Sequence, residues 1–112
     1  MKRSEMQARA KEVGSLLKSL ANPNRLMIVC TLVEGEYSVG QLEAELDIHQ
    51  PTLSQQLTAL REAGLVRTRR ESKQIFYRLT EAKAVQLIEA LHTIFCAEGF
   101  DAEATAGAQE MA

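Results

Sequence analysis

Residues 49–65 read His-Gln-Pro-Thr-Leu-Ser-Gln-Gln-Leu-Thr-Ala-Leu-Arg-Glu-Ala-Gly-Leu. Leu53, Leu57 and Leu60 recur at intervals of four and three residues, which places them on one face of an α-helix. Pro51 suits the first helical position, where its missing N–H is not needed, and Gly64 suits the left-handed residue that ends a helix. The stretch therefore predicts a helix that begins at Pro51 and packs one face into a core.

The opposite face of this helix carries amides and hydroxyls, where exposed helices more often carry Glu and Lys. The candidate residues are Gln50, Thr52, Ser54 and Gln55. Short side chains that both donate and accept hydrogen bonds can read base edges in the major groove of DNA. They predict a recognition helix, and an ordinary amphipathic surface helix is the alternative that this segment leaves open.

A second short helix is predicted just before the first, over about Val39–Leu46. Ser38 and Gln41 have the spacing of a capping box, in which a hydroxyl and an amide satisfy free N–H groups at a helix start. Residues 47–49 make a tight connection between the two helices. Two short helices joined in this way, the second with a polar outward face, match the helix-turn-helix pattern.

The hydrophobic period changes after Gly64. Leu65 to Arg70 and Gln74 to Leu79 are β-compatible runs, and Glu71-Ser72-Lys73 between them predicts a turn. The tip and first arm of this hairpin carry Arg67, Arg69, Arg70 and Lys73. We interpret it as a wing whose cations contact phosphates beside the groove, with a solvated basic hairpin as the alternative.

The charge distribution supports a face turned toward phosphates. The 112-residue chain has a formal net charge of −2, yet residues 50–80 carry an excess of four positive charges. The length favours one domain over about residues 1–100. Residues 101–112 lack a core-forming pattern and predict a mobile acidic tail.

Helical patterns flank the helix-turn-helix on both sides. The predicted helices cover about Ser4–Leu20, a nearly all-apolar segment from Pro23 that Gly35 ends, and Glu81–Ala97. A helix apolar on nearly all sides is expected to be buried on most of them. The fold class is therefore mainly α with a small β-hairpin: three helices, the recognition helix, the hairpin and a last helix in a winged helix-turn-helix.

Cys30 in the second helix and Cys96 near the end of the last helix are the two cysteines. They are too few and too far apart for a secreted disulfide scaffold or a CxxC motif. We see neither a signal peptide nor a membrane span, and we expect a cytoplasmic protein. From the residues themselves, two inert buried thiols and a thiol switch remain open.

The order of elements, together with Leu20-Ala21-Asn22-Pro23-Asn24-Arg25-Leu26 and Leu53-Ser54-Gln55-Gln56-Leu57, resembles the ArsR/SmtB family of bacterial winged-helix repressors. The resemblance covers about Ala10 to Cys96. It implies a homodimer formed through the first and last helices, binding to double-stranded operator DNA, and an effector that lowers DNA affinity. The apolar stripe of the last helix exceeds what a small monomer covers, as such a dimer requires.

The two cysteines, 66 residues apart, look like those of the persulfide-responsive subgroup of this family. Residues 50–57 and the Arg69-Arg70 wing are also similar to that subgroup. The resemblance implies that a low-molecular-weight persulfide or polysulfide, or an oxidant, links Cys30 to Cys96 within one chain and releases the DNA. A plain disulfide and a longer polysulfide both remain open.

Metal-sensing members of the family carry a Cys-x-Cys pair or several Asp and His ligands, and this chain departs from both patterns. Glu36-Tyr37-Ser38-Val39 occupies the first site, and His92 is the only strong ligand along the middle of the last helix. His49 is interpreted as a capping residue or a phosphate neighbour. We expect no metal and no cofactor.

Three other functions remain as alternatives. The first is a repressor that responds to a metal or small molecule, and the second is a winged-helix protein–protein module, which the Arg-rich wing disfavours. The third is a thiol oxidoreductase, disfavoured because CxxC and a second catalytic constellation are missing. We therefore predict a DNA-binding repressor and no enzymatic activity.

Overall fold

A computed structural model describes residues 1–97, with the backbone only for Cys96 and Ala97. The elements are α1 (Arg3–Leu20), α2 (Pro23–Leu32), β1 (Tyr37–Ser38), α3 (Val39–Leu46), α4 (Thr52–Glu62), β2 (Val66–Glu71), β3 (Gln74–Leu79), α5 (Ala82–His92) and a π-helical turn (Thr93–Ala97). They form two compact units, Met1–Glu81 and the part that begins at Ala82. The predicted tail, residues 101–112, lies outside the described residues. The predicted class, mainly helical with a winged helix-turn-helix, is confirmed.

Helix α2 forms because its start is capped. The Asn22 side-chain oxygen accepts hydrogen bonds from the backbone N–H groups of Asn24 (2.9 Å) and Arg25 (3.1 Å), and Pro23 takes the first helical position. Its buried residues are Ile28, Val29 and Leu32.

The prediction that α2 is buried on most sides is wrong for one face. Met27 is 42% exposed and Cys30 is also exposed. One stripe of the helix packs in the core, Leu26 is half-buried, and Met27 and Cys30 lie on the face that the rest of the chain does not cover.

The helix-turn-helix follows the predicted local chemistry closely. The Ser38 backbone N–H donates to the Gln41 side chain (2.8 Å), and the Gln41 N–H donates to the Ser38 hydroxyl (3.1 Å), so the capping box is confirmed. Asp47 ends α3 in the left-handed conformation with φ 55°. Helix α4 begins one residue later than predicted, at Thr52, and Pro51 is its N-cap after a cis peptide bond.

The face of α4 that was predicted to be apolar is buried. Leu53, Leu57 and Leu60 are each at most 1% exposed. Gly64 has φ 77°, as expected for the residue that closes the helix.

The wing has one strand more than predicted. Strands β2 and β3 pair as an antiparallel hairpin, and β1 adds to the other edge of β3, giving the order β1-β3-β2. A two-residue strand has too little alternation to be seen in the sequence, which is why β1 was missed. Glu71 belongs to β2, so the turn consists of Ser72 and Lys73 rather than three residues, with Ser72 at φ 61°.

The second unit contains α5 and the π-helical turn. Ala84 and Ile88 are its fully buried residues among those described. The predicted helix to Ala97 changes to π-helical geometry after His92, and Ile94 (63%) and Phe95 (71%) are exposed there. None of the described helices is long and apolar enough to cross a membrane.

Candidate nucleic-acid interface

The outward face of α4 presents a short polar surface at the start of the helix. Ser54 and Gln55 are exposed and Thr52 is half-buried, while the leucines of the same helix are buried. The Gln55 side chain has no hydrogen-bond partner among residues 1–97. An exposed amide that is not engaged within the protein can donate to, and accept from, a base edge.

Gln50 has a second role that the sequence did not reveal. Its side-chain oxygen accepts a hydrogen bond from the Ser54 backbone N–H at 3.0 Å, which satisfies a free donor at the start of α4. The amide nitrogen of the exposed Gln50 remains as a donor. Gln50 therefore helps to begin the helix on which it was predicted to read DNA.

Arg25 and Gln56 form a link that sequence analysis missed. The Arg25 Nε–H donates to the Gln56 side-chain oxygen at 2.7 Å, and its Nη1 donates to the Ser19 backbone carbonyl at 3.1 Å. Because Ser19 is in α1, Arg25 in α2 and Gln56 in α4, one guanidinium connects three helices. Arg25 and Gln56 lie in the two segments, residues 20–26 and 53–57, that resemble the family. Nothing in the spacing of these segments shows that Arg25 and Gln56 bind each other.

The wing cations fall into two groups. Arg67, Arg70 and Lys73 are exposed, and their side chains have no hydrogen-bond or ion-pair partner within the described part of the chain. Such groups are available to neutralise phosphates.

Arg69 is instead engaged by carboxylates. Its Nε–H donates to both oxygens of Glu36 (2.9 and 3.0 Å), and its Nη1 donates to Glu71 at 3.1 Å. The guanidinium carbon lies 4.6 Å from the centre of the Phe76 ring. The hydrogen bond with Glu36, followed by that with Glu71, raises the pKa of Arg69 above its ordinary value.

An open groove of about 480 Å³ lies where α4 gives way to β2. It is lined by Arg61, Gly64, Val66, Arg67, Thr68 and Thr80. Two guanidiniums and two hydroxyls give it a cationic, polar lining. Arg61 lies within the positively charged residues 50–80, but the sequence suggested no individual role for it.

His49 connects the end of α3 to the start of α4. Its Nδ1 lies 3.3 Å from a Glu43 carboxylate oxygen and its Nε2 lies 2.7 Å from one of Asp47, while its backbone carbonyl accepts from the Leu53 N–H at 3.0 Å. Hydrogen bonding to Glu43, then to Asp47, raises the pKa of His49 above its ordinary value. Among the side chains that the structure describes, which exclude that of Cys96, the acidic, His and Cys residues form no group of three or more that is placed to hold a metal ion.

The two cysteines belong to different units. Cys30 is exposed on α2, which shows that it is not a buried structural thiol in the single chain. Cys96 lies in the π-helical turn, where the structure describes its backbone.

Comparison with known proteins identifies the family. Residues 22–68, from the cap of α2 into β2, match the model of "Bacterial regulatory protein, arsR family". The "Biofilm growth-associated repressor" of Xylella fastidiosa (strain 9a5c) is 67% identical over 98 residues, which cover 88% of this chain and 86% of that protein. The chain belongs to the arsR family of bacterial regulatory proteins.

A solved structure and a further sequence relative support this assignment. The crystal structure of the transcriptional repressor BigR from Xylella fastidiosa superposes with a TM-score of 0.80 at 68% identity, covering 87% of this chain and 99% of that one. The "Transcriptional activator HlyU" of Vibrio cholerae (strain ATCC 39315 / El Tor Inaba N16961) is 42% identical over 86% of this chain and 89% of its own length. These relatives are named as regulators of transcription, so the prediction that the chain is not an enzyme is confirmed.

Proposed function

We propose that this arsR-family regulator is a homodimeric repressor that binds operator DNA and releases it when Cys30 and Cys96 react with persulfide, polysulfide or oxidant. The observation that carries DNA binding is the pairing of two features on one helix-turn-helix unit. An exposed polar face that includes the unengaged Gln55 side chain begins α4, and the unpaired cations Arg67, Arg70 and Lys73 lie on the wing that follows it. As a bacterial DNA-binding regulator, it would act in the cytoplasm.

The roles of the site residues follow from their environments. Gln50, Thr52, Ser54 and Gln55 contact base edges, while Arg67, Arg70 and Lys73 contact phosphates. In this division the amides supply sequence preference, and the cations supply affinity for any duplex.

Exposed apolar side chains support a homodimer through α1 and α5. Met6 (56%), Val13 (50%) and Leu17 (48%) are exposed along α1, and Ile94 and Phe95 are exposed just after α5. Several large apolar residues exposed on a small chain indicate an interaction surface. A two-fold dimer would match a pseudo-palindromic operator whose half-sites are about 10 bp apart or a multiple of that distance.

The exposure of Cys30 supports its role as the first thiol to react. The Cys30 thiolate attacks the sulfane sulfur of a persulfide donor, giving a Cys30 persulfide and releasing the donor's thiol. Attack of the Cys96 thiolate on the inner sulfur then forms a disulfide and releases sulfide. If Cys96 is itself persulfidated, the same attack gives a trisulfide, so neither route needs a further oxidant.

DNA binding is tested with duplexes that the wild-type protein selects from a random pool. We expect a dimer by analytical ultracentrifugation, a palindromic consensus, and an association constant that falls steeply with salt. Binding without salt dependence, or none, would contradict the proposal. Deletion of the gene should raise transcription from promoters that carry the consensus, and a fall there would identify an activator.

The sensor is tested by mass spectrometry and DNA binding on the same samples treated with a persulfide donor. A hundredfold rise in Kd requires the bridge to favour the released state by about 2.7 kcal/mol, within the usual range of allosteric coupling. Cys30→Ser and Cys96→Ser should each bind DNA but lose the intramolecular crosslink and the response. If Cys30→Ser releases DNA as the wild type does, the thiols are not the sensor, and a metal or small-molecule effector becomes the better proposal.

A further inference from the structure

The side chains of Arg69 and Glu36 meet over the central strand of the three-stranded sheet. In the strand register, Phe76 on the central strand is paired with Arg69 on one side and with Ser38 on the other. Paired residues of neighbouring strands lie on the same face of a sheet. The guanidinium lies over the Phe76 ring, 4.6 Å from its centre, and binds Glu36, which comes directly before β1.

The contact with Glu36 has the geometry of a specific ion pair. Arg69 Nε contacts both carboxylate oxygens at 2.9 and 3.0 Å, and Nη2 lies 2.9 Å from one of them. The Glu36 side chain is 27% exposed, so the pair is partly withdrawn from water. A planar guanidinium that forms several hydrogen bonds to one carboxylate and lies on an aromatic ring has little freedom to reorient.

This ion pair connects the wing to the helix-turn-helix. Arg69 is in the hairpin, whereas Glu36 leads through β1 into Ser38, which caps α3. The backbone pairing between β1 and β3 consists of two residue pairs, which is a short connection for a wing that must hold a fixed angle.

We propose that Arg69 is a positioning residue, which with Glu36 and Phe76 fixes the wing against the helix-turn-helix, and that it does not contact phosphate. The proposal revises the phosphate role that the sequence predicted for Arg69, and it rests on the proposed DNA-binding function. Two carboxylates already balance the Arg69 charge, while Arg67, Arg70 and Lys73 are without partners within residues 1–97. To reach a phosphate, Arg69 would have to break its bonds with Glu36 and Glu71. The other wing cations have no such bonds to break.

The two roles predict opposite signs for Glu36→Gln. If Glu36 is only a negative charge near the DNA, its removal strengthens binding, since it repels phosphates. If it positions the wing, its removal weakens operator binding by about twofold to fivefold, the upper range for a partly exposed ion pair. The matched control is Glu62→Gln, because the exposed Glu62 side chain has no described partner and carries the same charge.

Arg69→Ala and the double variant complete the DNA experiment on the full-length dimer. We expect Arg69→Ala to weaken operator binding at least as much as Glu36→Gln, because it also removes the contacts with Glu71 and Phe76. The salt slope should not change, and the double variant should show no further loss beyond Arg69→Ala. The proposal is overturned if Arg69→Ala lowers the salt slope by about one unit while Glu36→Gln binds as tightly as Glu62→Gln.

Hydrogen exchange of the DNA-free protein tests the positioning role independently. In Glu36→Gln, the amides of Tyr37 and Tyr77, which are paired residues of β1 and β3, should exchange about twofold to fivefold faster. The amide of Leu57 in the core helix should not change. If the wild type does not bind DNA, the proposed function fails, but hydrogen exchange still tests the positioning role. Unchanged exchange rates at Tyr37 and Tyr77 in Glu36→Gln would overturn the positioning role.

Discussion

Gln55 and Gln56 are adjacent on α4, but their side chains have opposite surroundings. Gln55 is exposed with no described hydrogen-bond partner, whereas Gln56 is half-buried and accepts a hydrogen bond from Arg25 at 2.7 Å. The two residues are chemically identical, so replacing each with Ala separates DNA reading from folding. The structure therefore supplies its own matched control.

Gln55→Ala should leave folding almost unchanged and impair sequence recognition. No intramolecular bond is lost, and Ala is a slightly better helix former, so the free energy of unfolding should change by less than about 0.5 kcal/mol. One good base contact is worth about 1–3 kcal/mol, so affinity should fall about fivefold to 150-fold for each half-site. Affinity for random DNA should stay within about twofold because the phosphate contacts are intact.

Gln56→Ala should have the reverse pattern. It removes a hydrogen bond to a charged, partly buried group, and such bonds are worth about 1.5–3 kcal/mol. We expect the free energy of unfolding to fall by that amount, with the consensus sequence unchanged.

The measurements are urea denaturation at fixed protein concentration and fluorescence anisotropy on consensus and scrambled duplexes. Equal losses on both duplexes for Gln55→Ala would show that Gln55 does not read bases. An unchanged free energy of unfolding for Gln56→Ala would show that the link between Arg25 and α4 does not stabilise the fold.

Three further predictions concern the core, the wing and pH. Leu57→Ala should lower the free energy of unfolding by about 2–5 kcal/mol, because Leu57 is 1% exposed; a loss below about 1 kcal/mol in urea denaturation would contradict its place in the core. Arg67→Ala should weaken binding to all duplexes and lower the salt slope by about one unit, as measured by anisotropy from low to high salt. The raised pKa of His49 means that its contacts with Glu43 and Asp47 stabilise the fold fully below about pH 6.5 and progressively less as pH rises through the folded-state pKa. The difference in urea midpoint between wild type and His49→Ala should therefore be larger at pH 5.5 than at pH 8.5, and a constant difference would rule this out.

The sequence determined the helices and their order because the responsible interactions are local. The Ser38–Gln41 capping box, the left-handed Gly64 and the leucine spacing of α4 each act within one or two helical turns, and all three are confirmed. The recognition face was predicted for the same reason: a polar stripe opposite a leucine stripe is a property of helical period. The base and phosphate contacts themselves remain predictions until DNA binding is measured.

The tertiary structure decided which polar residues are free to act, because that depends on partners far away in the sequence. Arg69 looks like the other wing cations, but Glu36, 33 residues earlier, engages it. Gln56 looks like Gln55, but Arg25, 31 residues earlier, binds it. Likewise, the composition of α2 predicted burial on most sides, whereas packing covers one stripe and leaves Cys30 exposed. The residue types and their hydrophobic periodicity determine which face of an element a side chain occupies and which bonds it can form. The long-range contacts of the fold determine which of these side chains remain free to bind DNA.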